Sequence, residues 1–276
     1  MTISGFPDLN GADWQPTRDS MKQYARVVGK VRRALAPPEK HWFHTALRVA
    51  AVGATTGPIP GIDSSVELVL DFVNHALQVV TSTGQTRSIP LRGQPVAVFH
   101  RQTLDALAGL GIEAAVDPDQ FSDDSPLTYV PEQARRLWTA FSLVNLTLAR
   151  FKGSLREETG PLVLWPHNFD LAFLWFSGRK VPNQDLANPE YADEQMNFGF
   201  EPGDAGIPEP YFYVTAYPMP DGFAGSPLPA GATWQTEGWT GALLRYVELL
   251  KCDDPAGHLL AFLIAAHRAG SKQMTG

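Results

Sequence analysis

Within LVLWPHNFDLAFLWFSGRK, residues 162–180, one histidine and one aspartate interrupt an otherwise apolar, aromatic run. Read as a strand, residues 169–176 set Phe169, Leu171, Phe173 and Trp175 on one side and Asp170, Ala172, Leu174 and Phe176 on the other. Asp170 therefore begins an otherwise apolar face, where a carboxylate needs a partner, a strand end or solvent in a cleft. In a cleft it is a candidate base for activating water. A backbone donor or an arginine would satisfy it without chemistry. His167, just before the strand, reads as a ligand contact or as a polar tip at a sheet edge.

Three further stretches carry reactive types. YADEQMNFGFEPGD places Asp193 and Glu194 ahead of an apolar strand, and with Asp170 they supply bases if the fold gathers them. Arg179 would steady developing charge, or anchor a strand end. In HWFHTALR, alternation puts Trp42, His44, Ala46 and Arg48 together, opposite His41, Phe43, Thr45 and Leu47. That spacing parts the two histidines unless the backbone bends. A zinc site would need His41 or His44 to meet Asp170, His167 or Glu194 across the fold. YFYVTAYP aligns Tyr211, Tyr213, Thr215 and Tyr217 on one strand face, either lining a pocket for a polar molecule or packing under a helix.

The chain lacks GxGxxG after a strand, GxxxxGK[ST], HExxH, a calcium loop and GxSxG, which lowers those enzyme classes only. Its formal charge of -7 provides no global field for nucleic acid or anionic lipid, leaving small molecules and proteins as the expected partners. Cys252 is the single cysteine, so no internal disulfide or thiolate metal pair forms. With no basic-then-apolar leader and no membrane-length apolar run, the expected location is cytoplasmic.

The elements that must position these groups follow from pattern. Residues 17–35 read as an amphipathic helix with Tyr24, Val27, Val28, Val31 and Leu35 inward and a basic row of Arg18, Lys22, Arg26, Lys30 and Arg33, which a solvated face explains. Residues 41–53 read as a strand. Val66, Leu68, Leu70 and Phe72 alternate with more polar neighbours, and a turn at Asn74 and His75 would set Phe72 against Leu77 and Leu70 against Val79. Thr83 and Gly84 turn the chain into residues 86–91. Residues 95–110 read as a helix bearing His100, and the acidic segment 117–131 as a boundary before a helix at 132–151. Strands at 162–165 and 169–176, a short helix near Glu190, strands through NFGF and YFYVTAY, and helices at GALLRYVELL and AGHLLAFLIAAHRAG complete the chain. The expected class is α+β, with antiparallel sheets packed against helices in two similar halves, 1–118 and 119–276, tightly packed as one unit.

Taken together, VVGKVRRALAPPEKHWFHTALRV, LWPHNFDLAFLWFSGR, YADEQMNFGFEPG and EPYFYVTAYPMPDGF resemble a bacterial family known as domain of unknown function 5996, from about Trp14 to the last helix. The resemblance implies that His44, Asp170 and Glu194 stand at positions where the family usually carries the same residue types. It also shows departures. Leu162 and Asp193 stand where the family tends to have histidine, and His167 where it usually has a small residue, which weakens any metal site the family would imply.

The leading reading is a protein that binds a small polar ligand in a cleft, with hydrolysis as the candidate chemistry. His44, Asp170, Glu194 and Arg179 are its candidate catalytic groups; Trp42, His167, Tyr211 and Tyr213 are its candidate ligand contacts. A noncatalytic interaction or scaffold protein is the alternative, and a divalent-metal hydrolase the second. Metal, cofactor and oligomeric state are left unassigned by the sequence.

Overall fold

The computed structural model describes residues 5–274, and the reading of the extreme N-terminus as leaderless rests partly on residues outside that range. The protein is α+β, with two antiparallel sheets, each flanked by helices. The chain forms two compact units. An N-terminal unit comprises residues 11–142 and 163–169; a C-terminal unit comprises 5–10, 143–162 and 170–274 of the described chain. The segment 117–131 thus lies inside the N-terminal unit.

In the N-terminal unit, helix α1 (Gln15–Leu35) buries Met21, Tyr24, Val27, Val28 and Val31, as its periodicity requires. Three residues of its basic row rest on rings: Arg18 on Trp14, Arg26 on Phe121 and Arg33 on Trp42. The sheet runs β1 (Arg48–Ala50), β2 (Gly53–Thr55), β4 (Ser65–Asp71), β5 (Ala76–Thr81) and β6 (Thr86–Pro90), with β3 (Ile59–Pro60) also beside β4. Helix α2 (Val96–Ala108) follows, and the first half of α3 (Pro131–Lys152) brings Trp138 onto Phe72. The short strand β7 (Val163–Trp165) joins this unit through reciprocal backbone bonds between Leu47 and Leu164, 2.8 Å each.

The β4–β5 hairpin differs from expectation by two residues. Leu70 faces Leu77 and Leu68 faces Val79, because the connection takes four residues, 72–75. Asp71 sets its length: Oδ1 accepts from the backbone N–H groups of Val73 and Asn74, and Oδ2 from the Asn74 amide. A shift of two preserves the inward face, so Val66, Leu68, Leu70, Leu77 and Val79 are all buried.

The C-terminal unit orders its strands as β11 (Ala232–Gln235), β12 (Gly241–Arg245), β10 (Tyr211–Tyr217), β9 (Asp193–Glu201) and β8 (Asp170–Lys180). Leu171, Phe173, Trp175, Met196, Phe198, Phe200, Phe212 and Val214 form one buried apolar face. Helix α5 (Pro255–Met274) covers it with Leu259, Phe262, Leu263 and Ala266, close enough that a Cβ at Gly270 would meet Met196. The composition of GALLRYVELL suggests a helix. GALLR is instead strand β12, paired with β10, and only Tyr246–Leu250 forms the short helix α4. Pairing with a long, apolar strand overrides local helix propensity here. The helix expected near Glu190 is also absent: Asn188 Oδ1 accepts from the N–H groups of Glu190 and Tyr191 and holds a turn.

Candidate functional site

The face of the C-terminal sheet opposite α5 is polar. Register carries Glu201 beside Tyr211, Gly199 beside Tyr213, Asn197 beside Thr215 and Gln195 beside Tyr217, so the tyrosine stripe read from alternation lies on one face. Asp170 joins it from β8. Tyr213 reaches Asp170 by lying across the intervening strand, and its hydroxyl donates to Asp170 Oδ2 at 2.5 Å. Gly199 makes this crossing feasible, because a Cβ there would overlap the Tyr213 ring. A second glycine repeats the device: a Cβ at Gly241 would come within 2.6 Å of Trp239, whose ring stacks on Tyr211 and meets Tyr213 edge-on. Two glycines in the strands therefore let aromatic rings lie against the sheet.

Charge gathers at this end. Asp170 and Glu201 are only 4% and 5% exposed, and Tyr211 donates to Asp204 Oδ2 at 2.7 Å. Burial, then the Asp170 charge and hydrogen bond, push the Tyr213 phenol well above its ordinary range. Burial and Asp204 raise Tyr211 likewise. Both phenols therefore remain protonated donors. Farther along β9, Asn197 Oδ1 and Gln195 Oε1 are buried without a hydrogen-bond partner among the described residues, although Gln195 Nε2 donates to the Glu190 carbonyl at 3.1 Å. Alternation places these two amides on the same face, roughly 7 Å apart along the strand.

Glu194 is not part of this arrangement. Leu171 faces Phe200 while Phe176 faces Gln195, so Asp170 and Glu194 occupy opposite ends of the β8–β9 pair. Strand alternation also directs them to opposite faces, and strand rise separates them by roughly 20 Å. The condition that the fold gather these carboxylates is therefore not met by Asp170 and Glu194. Glu194 Oε2 instead accepts from Ser177 Oγ at 2.9 Å and Arg179 Nε at 3.0 Å. Arg179 also donates to the Gln273 carbonyl at 3.0 Å, tying the strand to the last turn of α5. Asp193 pairs with Lys180 across the same strands.

His44 and Trp42 belong to the N-terminal unit. Residues 40–45 form a tight 3-10 turn in place of the expected strand, and strand geometry begins only at Arg48. His41 and Trp42 both have left-handed backbones, with φ of 53° and 59°. Arg32 holds the turn from α1, donating Nε to the His44 carbonyl at 3.1 Å and Nη1 to the Thr56 carbonyl. The bend brings the Trp42 and His44 rings to 5.7 Å between centroids. His167 stands edge-on to Trp165, which stacks on Phe43.

Comparison with known proteins adds a family. The chain matches the family of unknown function DUF5996 over residues 6–275. It belongs to that family. No curated protein and no solved structure matches it.

For this DUF5996 member, no group of three or more His, Cys, Asp or Glu side chains is placed to hold a metal ion among the described residues. No described helix is long and apolar enough to cross a membrane. Asp170, Tyr211 and Tyr213 are legible as candidates in the sequence, whereas Gly199, Gly241, Trp239, Asn197 and Gln195 join them only in the fold. Glycine between two phenylalanines in NFGF was the available signal for a ring lying on the strand. Asn197 and Gln195 alternate with Met196 and Phe198, which could have marked a polar face.

Proposed function

We propose that the protein binds a small polar molecule rich in hydrogen-bond donors on the tyrosine face of its C-terminal sheet. The observation that carries this reading is the pair of unmet amide oxygens, Asn197 Oδ1 and Gln195 Oε1, beside the tyrosine stripe. A buried acceptor left unmatched costs about 1–3 kcal/mol, and a ligand N–H or O–H entering here would recover that loss. Trp239 and Tyr211 add ring surface, while Tyr213 fixes the orientation of the Asp170 carboxylate. If the bound molecule is hydrolysed, Asp170 is the group suited to accept a proton from water. The chemistry is then carried by Asp170 and Tyr213, with Glu194 and Arg179 serving the frame.

The test is a thermal-shift screen of polyols, amino sugars and small amides against wild type and Asn197→Leu. A ligand should raise the wild-type Tm and leave the variant unmoved, while the unliganded variant is as stable as wild type or more so, since its orphaned acceptor is gone. If no donor-rich compound shifts the wild type, the noncatalytic scaffold reading takes its place.

A further inference from the structure

The N-terminal unit carries a second feature, independent of the tyrosine face. His44 is 6% exposed, and its Nδ1 accepts the backbone N–H of Glu39 at 3.1 Å. An imidazole nitrogen that accepts carries no proton, so the neutral ring bears its hydrogen on Nε2. Nε2 makes no hydrogen bond among the described residues. A ring so deeply packed, with one nitrogen committed to the backbone, leaves the other as a donor of fixed direction.

The surroundings indicate what such a donor would meet. Arg32 donates to the His44 carbonyl, and Arg33 covers the face of Trp42, whose ring also meets the His44 ring. Burial and the nearby Arg48 both lower the Arg32 pKa, with Glu39 opposing them. Arg32 and Arg33 thus flank the turn, Arg48 adds positive charge felt at Arg32, and Glu39 is the acidic counterweight, 4.0 Å from Arg32. The local field favours an anionic oxygen over a cation. Two successive left-handed residues with side chains, His41 and Trp42, strain the turn. Arg32, the Glu39 amide and the Thr45 hydroxyl, which donates to the Trp42 carbonyl at 2.9 Å, hold it in place.

We infer that His44 is a hydrogen-bond donor, locked as the Nε2–H tautomer, for an oxyanion bound beside Trp42 and Arg33. This assigns His44 a role opposite to that of a general base, because its acceptor nitrogen faces the protein's own backbone. Carboxylates and phosphates share the required chemistry, and the experiment separates them.

Long-range 1H–15N imidazole spectra of the full-length protein at about pH 8, where an ordinary histidine is neutral, read the tautomer directly. The expected result is an unprotonated Nδ1 and a protonated Nε2 for His44. Titration with inorganic phosphate, and separately with acetate, should then move the His44 Nε2 resonance saturably, and the stronger of the two names the oxyanion class. His44→Gln, whose amide N–H falls near the position of Nε2–H, should keep binding within about threefold, whereas His44→Leu weakens it by about tenfold or more. A protonated Nδ1, or a wild-type Nε2 resonance indifferent to both anions, overturns the inference. Because the wild-type spectra decide the matter, a variant that fails to fold does not leave it open.

Discussion

Tyr213 meets Asp170 because position 199 carries no side chain, so the smallest residue on the sheet controls its principal polar contact. Gly199→Ala would force the ring off the strand. It should lower stability by about 1–3 kcal/mol in urea unfolding, the range for overpacking a filled site. Tyr213→Phe keeps the ring and removes only the donor to a buried carboxylate. A comparable loss of about 1–3 kcal/mol is expected, with the aromatic near-UV CD of the sheet retained. The tyrosine face was legible because alternation is a local property of one strand. The partnership with Asp170 was not, since it spans three strands whose register no local pattern reveals. Similarly, nothing in HWFHTALR announces two consecutive left-handed residues. That bend is held in part by Arg32, a residue of the preceding helix.

Elements were read well where their pattern was strong. Helices α1, α2, α3 and α5 and the β4–β5 hairpin all lie where periodicity put them, and the hairpin register moved by two because Asp71 takes three donors in the turn. Asp71→Ala should therefore destabilise the N-terminal unit by about 1–3 kcal/mol, measurable as faster amide hydrogen exchange along β4 and β5. Strand β12 escaped notice because GALLR has helix-forming composition and becomes a strand only through its neighbour. Helix α5 carries a different liability. His267 packs among Phe151, Trp175 and Phe198, and burial lowers its pKa, reinforced by Arg268 and opposed by Glu157. Burial also lowers His75 and His100. For each, the unfolded chain binds a proton at a higher pH than the folded one. Stability should be full above the ordinary histidine value of about 6.5 and decline as pH falls through it. His267→Phe, which suits the aromatic surroundings, should flatten that decline in denaturation curves taken at successive pH values.

At the scale of the whole molecule, neither unit is one continuous stretch of chain. The C-terminal unit includes residues before 11, and the N-terminal unit reaches forward to recover 163–169. Fragments cut as 1–118 and 119–276 would each lack pieces of the structure they belong to. Expressed alone, they should give poorly dispersed amide NMR spectra, while the intact chain gives a dispersed one. The α+β class was legible in the sequence; this interleaving was not, because it depends on pairings such as Leu47 with Leu164 that lie far apart along the chain.

The same interleaving sets an order of events during synthesis. Every residue of the N-terminal unit has been made once translation passes Phe169, so that unit can close while most of its companion is still unmade. Leu9, buried in the finished protein, is made before every residue of the N-terminal unit. Its unit stays incomplete until α5 emerges.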